Sequence, residues 1–286
     1  MKNILVPIDF SPNAEKAMHF AIRMVQGNKD ATLYFLNVIN TPLMTGYSKD
    51  EYDKRIEELL QENIGKIQKH VLAIYKQMLV SENEIREEAL VRYGDFLEEV
   101  NNAVQEKAID LVVMGTHGAS GIKKVLFGSN TADVMEKVSC AVLAVPDEYG
   151  NAPVTRIAYA TDFQNVEDGL AEIVDFAKFF HASIELFHVH IPERAKTDPT
   201  TFDRNGFLRE ISKKFNYEHF TLAFIKLIGD QDDLTDGIES YVAQKRPSVI
   251  AMATYERMWY ESIFKPSKTK AMIFQTTTPL LVVKKK

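Results

Sequence analysis

Gly115, Gly118 and Gly128-Ser129 follow the spacing Gly-x2-Gly-x9-Gly-Ser, directly after the apolar run Leu111-Val112-Val113-Met114 and directly before a helical pattern. Small residues at such a junction leave main-chain N–H groups bare, and the first turn of a helix favours negative charge. The chemistry this predicts is the cradling of phosphates, with the hydroxyls of Ser129 and Thr131 as further donors and Ser129 also placed to cap the helix. No Gly-Lys-Ser/Thr follows at Walker spacing, and no Gly-x-Gly-x-x-Gly follows the first apolar run, so neither of the common phosphate loops is present. A tight turn with Ser129 as cap and nothing bound uses the same residues.

Other chemistry is thinly represented. Asp9 closes the first apolar run just before Ser11-Pro12, where a carboxylate either meets a ligand or only starts the helix. Lys123 and Lys124 read as solvated lysines. No Ser/His/Asp order, zinc spacing or pair of carboxylates in a general-acid setting stands out, which favours a binding module over a dedicated enzyme. The single cysteine, Cys140, opens the apolar run Cys140-Ala141-Val142-Leu143-Ala144-Val145 and reads as a core thiol.

These residues need a scaffold, and the chain supplies it twice. Its 286 residues suit two domains, and 45% hydrophobic with 26% charged residues suits two packed cores. Asn3-Ile4-Leu5-Val6-Pro7-Ile8-Asp9-Phe10 is echoed by Arg156-Ile157-Ala158-Tyr159-Ala160-Thr161-Asp162-Phe163, and Ala141-Val142-Leu143-Ala144-Val145 by Pro279-Leu280-Leu281-Val282-Val283. In the first half the patterning predicts strands at 3–8, 31–38, 84–90, 110–115 and 141–145, with helices at 12–26, 50–78, 95–107 and 129–138. In the second half strands are predicted near 156–160, 183–190, 220–227, 248–253 and 280–284, with a shorter second helix at about 200–215. Apolar runs without strict alternation indicate strands covered on both faces. The fold class is therefore α/β: two tandem doubly wound domains, each a five-stranded parallel sheet flanked by helices. The stretch from Asp147 to Pro153 reads as the link, giving domains at 1–147 and 153–286.

A formal net charge of −6 without a basic face argues against nucleic acid as a partner. The short apolar run after Met1-Lys2-Asn3 is too small for a signal peptide, and no window is apolar enough to span a membrane, so a cytoplasmic protein is expected.

The glycine spacing, the Asp ending each first strand and the Val/Leu-rich last strands together resemble the universal stress protein family across essentially the whole chain, as a tandem pair with the adenine nucleotide alpha hydrolase-like fold. The resemblance implies ATP binding in the first domain, with or without Mg²⁺. It assigns adenine to Asp9, with its neighbours Pro7 and Ile8, and to Val38. Ribose and phosphates go to Met114, Gly115, His117, Gly118, Gly128, Ser129, Asn130 and Thr131. Asn130 stands where the family often carries valine or another small apolar residue.

A shift of 138 aligns the end of the second copy: Gly115 becomes Ala253, His117 Tyr255, Gly118 Glu256 and Gly128 Pro266, while Ser129 remains as Ser267. A carboxylate at 256 and a proline lacking an N–H at 266 oppose phosphate binding, so this half is expected not to hold ATP in the family manner. Tyr255, Trp259 and Tyr260, with Lys265 and Lys268, read as a packed surface loop. The resemblance further implies that the strands 141–145 and 279–283 pair so that one chain imitates a homodimer. Association into a true homodimer stays open. The expected function is a stress-response protein regulated by nucleotide occupancy. A slow ATP hydrolase or phosphoryl-transfer enzyme and a nucleotide-free interaction protein are the alternatives.

Overall fold

The computed structural model describes residues 1–40, 48–81, 84–116, 128–150, 152–163, 166–190, 200–226, 234–254 and 278–284. His117, Gly118, Lys123 and Lys124 lie outside them, as do the second-copy residues Tyr255, Glu256, Trp259, Tyr260, Lys265, Pro266, Ser267 and Lys268. The chain divides into two compact units, over the described parts of residues 1–145 and of 146–286.

The first unit runs β1 (Asn3–Pro7), α1 (Pro12–Val25), β2 (Thr32–Ile39), α2 (Lys49–Met78), β3 (Arg86–Tyr93), α3 (Phe96–Glu106), β4 (Leu111–Gly115), α4 (Ser129–Lys137), β5 (Ala141–Val145). The strands pair in parallel in the order β3-β2-β1-β4-β5, so all their carboxyl ends share one edge. From β1 the connections run one way to β2 and β3 and the other way to β4 and β5. The switch point of the sheet thus lies between β1 and β4, where open parallel sheets leave a crevice. β1, β4 and β5 are nearly or wholly buried, as their unbroken apolar runs demand. β3 differs: as the end strand it keeps Arg86, Glu87 and Glu88 exposed, and it extends to Tyr93, beyond the expected 90. Cys140 is a correction to its expected place in the core. It sits just before β5 and is only partly buried, because the strand begins at Ala141.

The second unit has β6 (Arg156–Ala160), α5 (Glu167–Phe180), β7 (Ser183–His190), α6 (Arg204–Phe215), β8 (Phe220–Lys226), α7 (Leu234–Lys245), β9 (Val249–Thr254) and β10 (Leu280–Lys284). Its parallel order, β8-β7-β6-β9-β10, repeats that of the first. The repetition reaches individual bonds. The N–H of Ile8 donates to Leu36 O at 2.8 Å, and that of Thr161 to Phe187 O at 3.0 Å. One residue on, Asn37 Nδ2 donates to Ile8 O at 2.8 Å, while His188 Nδ1 meets Thr161 O at 2.9 Å. An imidazole has thus replaced an amide at one tether that holds the end of the first strand against the second. After the strand, Phe10 (φ 61°) and Phe163 (φ 62°) both take the left-handed conformation, turning the chain into the helix. Phe163 is packed against Phe202, Phe207 and Phe224 at centroid distances of 5.0, 5.6 and 5.4 Å, so in the second unit an aromatic cluster fills the space beside this turn.

Candidate functional site

A cavity of about 280 Å³ opens at the switch point of the first unit, near the lower end of the volumes, from about 300 Å³, usual for small-molecule pockets. Its floor follows the strand order. Asp95 and Phe96 lie just past β3, Val38 and Asn40 at the end of β2, Pro7, Ile8 and Asp9 at the end of β1, and Met114 with Gly115 at the end of β4. Asn130 and Thr131 from the first turn of α4 and Ala14 from α1 complete the lining. Of the residues expected in a nucleotide site, the cavity therefore gathers Pro7, Ile8, Asp9, Val38, Met114, Gly115, Asn130 and Thr131. Gly128 and Ser129 stand beside it at the start of α4, and His117 and Gly118 are outside the described residues. Ala14, Asn40, Asp95 and Phe96 were not anticipated. Gly94 followed by Asp95, a turn glycine before a helix-capping carboxylate, is the sequence signal that a turn delivers residues to this edge.

Several glycines and hydroxyls do other work than expected. Gly115 needs no open amide to explain it: a Cβ there would lie 2.8 Å from Asn13 Cγ and 2.9 Å from Asn13 O, so its smallness lets α1 approach β4. The N–H of Gly128 is already used, donating to Thr116 O at 2.8 Å, which returns the chain to the end of β4. Ser129 is not the cap; Gly128 holds that position without a side-chain bond, and Ser129 is the first helical residue, exposed. Thr131 is 2% exposed, and its hydroxyl donates to Gly115 O at 2.9 Å. It therefore positions α4 on β4 rather than offering a proton to a ligand. Thr131→Val keeps the shape and removes that donor, and is expected to cost about 1–2 kcal/mol in urea denaturation, with Thr131→Ser costing less.

Asp9 also has a structural task, since its Oδ1 accepts from the Ser11 N–H at 3.0 Å. The carboxylate is nonetheless exposed and lines the cavity.

The helix ends decide where negative charge belongs. In α1 the Ser11 hydroxyl accepts from Ala14 N at 3.2 Å, and Glu15 stands in the first turn. In α2 Ser48 and Glu51 form a capping box, and in α3 Asp95 accepts from Glu98 N at 3.1 Å, with Glu98 and Glu99 in the first turn. Only α4, among the described helices of this unit, has neither a side-chain cap nor an acidic residue in its first turn. The amides of Ser129, Asn130 and Thr131 have no acceptor among the described residues, and the helix dipole there is not offset. An anion is favoured at α4 and opposed by the carboxylates in the lining, that of Asp95 just past β3 and that of Asp9 at the end of β1. α3 is held by Arg92, whose guanidinium reaches Glu99 at 3.3 Å and Glu106 at 2.5 Å.

A profile of the Universal stress protein family matches residues 1–146. Universal stress protein YxiE of Bacillus subtilis is 28% identical over 144 residues, covering 50% of this chain and 97% of that protein. Universal stress protein MJ0531 of Methanocaldococcus jannaschii is 30% identical over 144 residues, covering 50% of this chain and 81% of that protein. The crystal structure of a universal stress protein from Archaeoglobus fulgidus superposes over 99% of this chain and 98% of its own, with a TM-score of 0.67 and 20% identity, a likeness of fold.

Proposed function

The chain belongs to the universal stress protein family, and on that premise we propose that its first unit binds ATP and that nucleotide occupancy regulates what the protein engages. The observation that carries this reading is the cavity at the switch point, lined by the carboxylates of Asp9 and Asp95 and by the first turn of α4, which among the described helices of the unit is the one start with neither a side-chain cap nor an acidic residue. A ligand with hydrogen-bond donors on its base and a polyphosphate tail matches that polarity. In this assignment Pro7, Ile8, Asp9 and Val38 surround adenine, and Met114, Gly115, His117, Gly118, Gly128, Ser129, Asn130 and Thr131 surround ribose and phosphates. Among the described residues no cluster of three or more His, Cys, Asp or Glu side chains is arranged to hold a metal, so Mg²⁺ would arrive on the phosphates and keep much of its water shell.

The second unit is assigned no nucleotide, on the strength of Glu256 and Pro266 in its sequence. Domains at 1–147 and 153–286 and a cytoplasmic location go with this reading; no helix among the described residues is long and apolar enough to cross a membrane. The same reading has the end strands β5 and β10 pair within one chain in imitation of a homodimer, because an uncovered edge so rich in Val and Leu invites aggregation.

Titration calorimetry of the full chain with ATP tests the proposal. Saturable binding of one ATP per chain is the expected result. Two per chain would restore a site to the second unit, and no heat with ATP or AMP would leave an interaction protein that works without nucleotide. Turnover of radiolabelled ATP, abolished together with binding in a Ser129→Asp variant, would mark an enzyme.

A further inference from the structure

Phe96 is the first residue of α3, half-buried, lining the cavity and with no ring contact among the described residues. An apolar side chain in the lining of a polar pocket gains little from water and is available to a flat partner. Its place along the sheet edge is informative. α3 leaves β3 and packs on β2 and β1, and the cavity gathers Phe96 with Val38 at the end of β2 and with Pro7, Ile8 and Asp9 at the end of β1. A base held at those two strand ends is therefore within reach of Phe96. Asp95, adjacent in sequence, already spends one carboxylate oxygen on capping α3, so this end of the pocket rejects phosphate and accepts an uncharged group.

Resting on the ATP reading above, we infer that Phe96 is a base-recognition residue, its ring forming the aromatic wall against which the purine lies while Val38 bounds the base from the end of β2. Nothing in the Gly-x2-Gly-x9-Gly-Ser spacing points to it, because it comes from a different strand end.

The test compares ATP dissociation constants of the full chain and three variants by calorimetry, with the unfolding midpoint of each unliganded protein as a check on folding. Phe96→Tyr keeps the π face and should bind within about two-fold of the unaltered chain. Phe96→Leu keeps most of the apolar volume and loses the face, and Phe96→Ala loses both; each should weaken ATP roughly ten-fold. Leu and Ala variants that bind ATP as the unaltered chain does, or a Tyr variant as weak as Leu, overturn the assignment of Phe96 while leaving the ATP site standing. Failure of the unaltered chain to bind ATP removes both.

Discussion

Ser129→Asp is expected to lower ATP affinity by at least 100-fold while leaving the protein as stable as before, or slightly more stable. Ser129 is exposed and is the first residue of α4, a helix start with no side-chain cap and no acidic residue. A carboxylate there complements the dipole and should add about 0.3–1 kcal/mol to the helix. The same charge faces a bound phosphate, and two unit charges about 4 Å apart repel by about 4 kcal/mol at an effective dielectric constant of 20. The two effects have opposite signs, which separates a ligand site from a mere scaffold position. Ser129→Lys should reverse both, weakening the helix and sparing ATP. Calorimetric titration and urea denaturation of the three proteins supply the readings; an aspartate variant that binds ATP within five-fold of the unaltered chain would remove the phosphate from α4.

The succession of strands and helices along the chain and the duplication could be read from the sequence because buried parallel strands appear as short unbroken apolar runs, and Leu111-Val112-Val113-Met114 or Ala141–Val145 admit little else. The end strand β3 was harder. Its first residues are Arg86, Glu87 and Glu88, which satisfy no apolar template, and only pairing with β2 makes them strand. At the site, residues contributed by β1, β2 and the end of β4 were within reach of motif and resemblance. Phe96 and Asp95 were not, because what qualifies them is adjacency of strand ends in space. The glycine motif, for its part, names positions without saying what each glycine is for. Gly128 has already committed its amide to Thr116, and Thr131 its hydroxyl to Gly115.

Gly115→Ala is expected to destabilise the first unit by about 1–3 kcal/mol and to weaken ATP binding with it, for a reason of packing rather than of amide access. The new methyl would lie 2.8 Å from Asn13 Cγ and 2.9 Å from Asn13 O, and the backbone oxygen moves only if the first turn of α1 moves. That turn carries Ala14, one wall of the cavity. The second unit has met the same constraint from the other side. The strand registers Gly115 with Val145 and Ala253 with Val283 place Ala253 where Gly115 stands, and there the helix carries the glycine: a Cβ added to Gly169 of α5 would lie 2.8 Å from the Cβ of Ala253. Small and larger residues have changed places across one strand-helix contact. Adding Asn13→Gly to Gly115→Ala should then recover part of the lost stability, with a coupling of about 1–2 kcal/mol in a double-mutant cycle followed by urea denaturation; strictly additive changes would sink the packing account. If the coupling appears, alanine at 253 says nothing about nucleotide in the second unit. The case against binding there then rests on Glu256 and Pro266 alone.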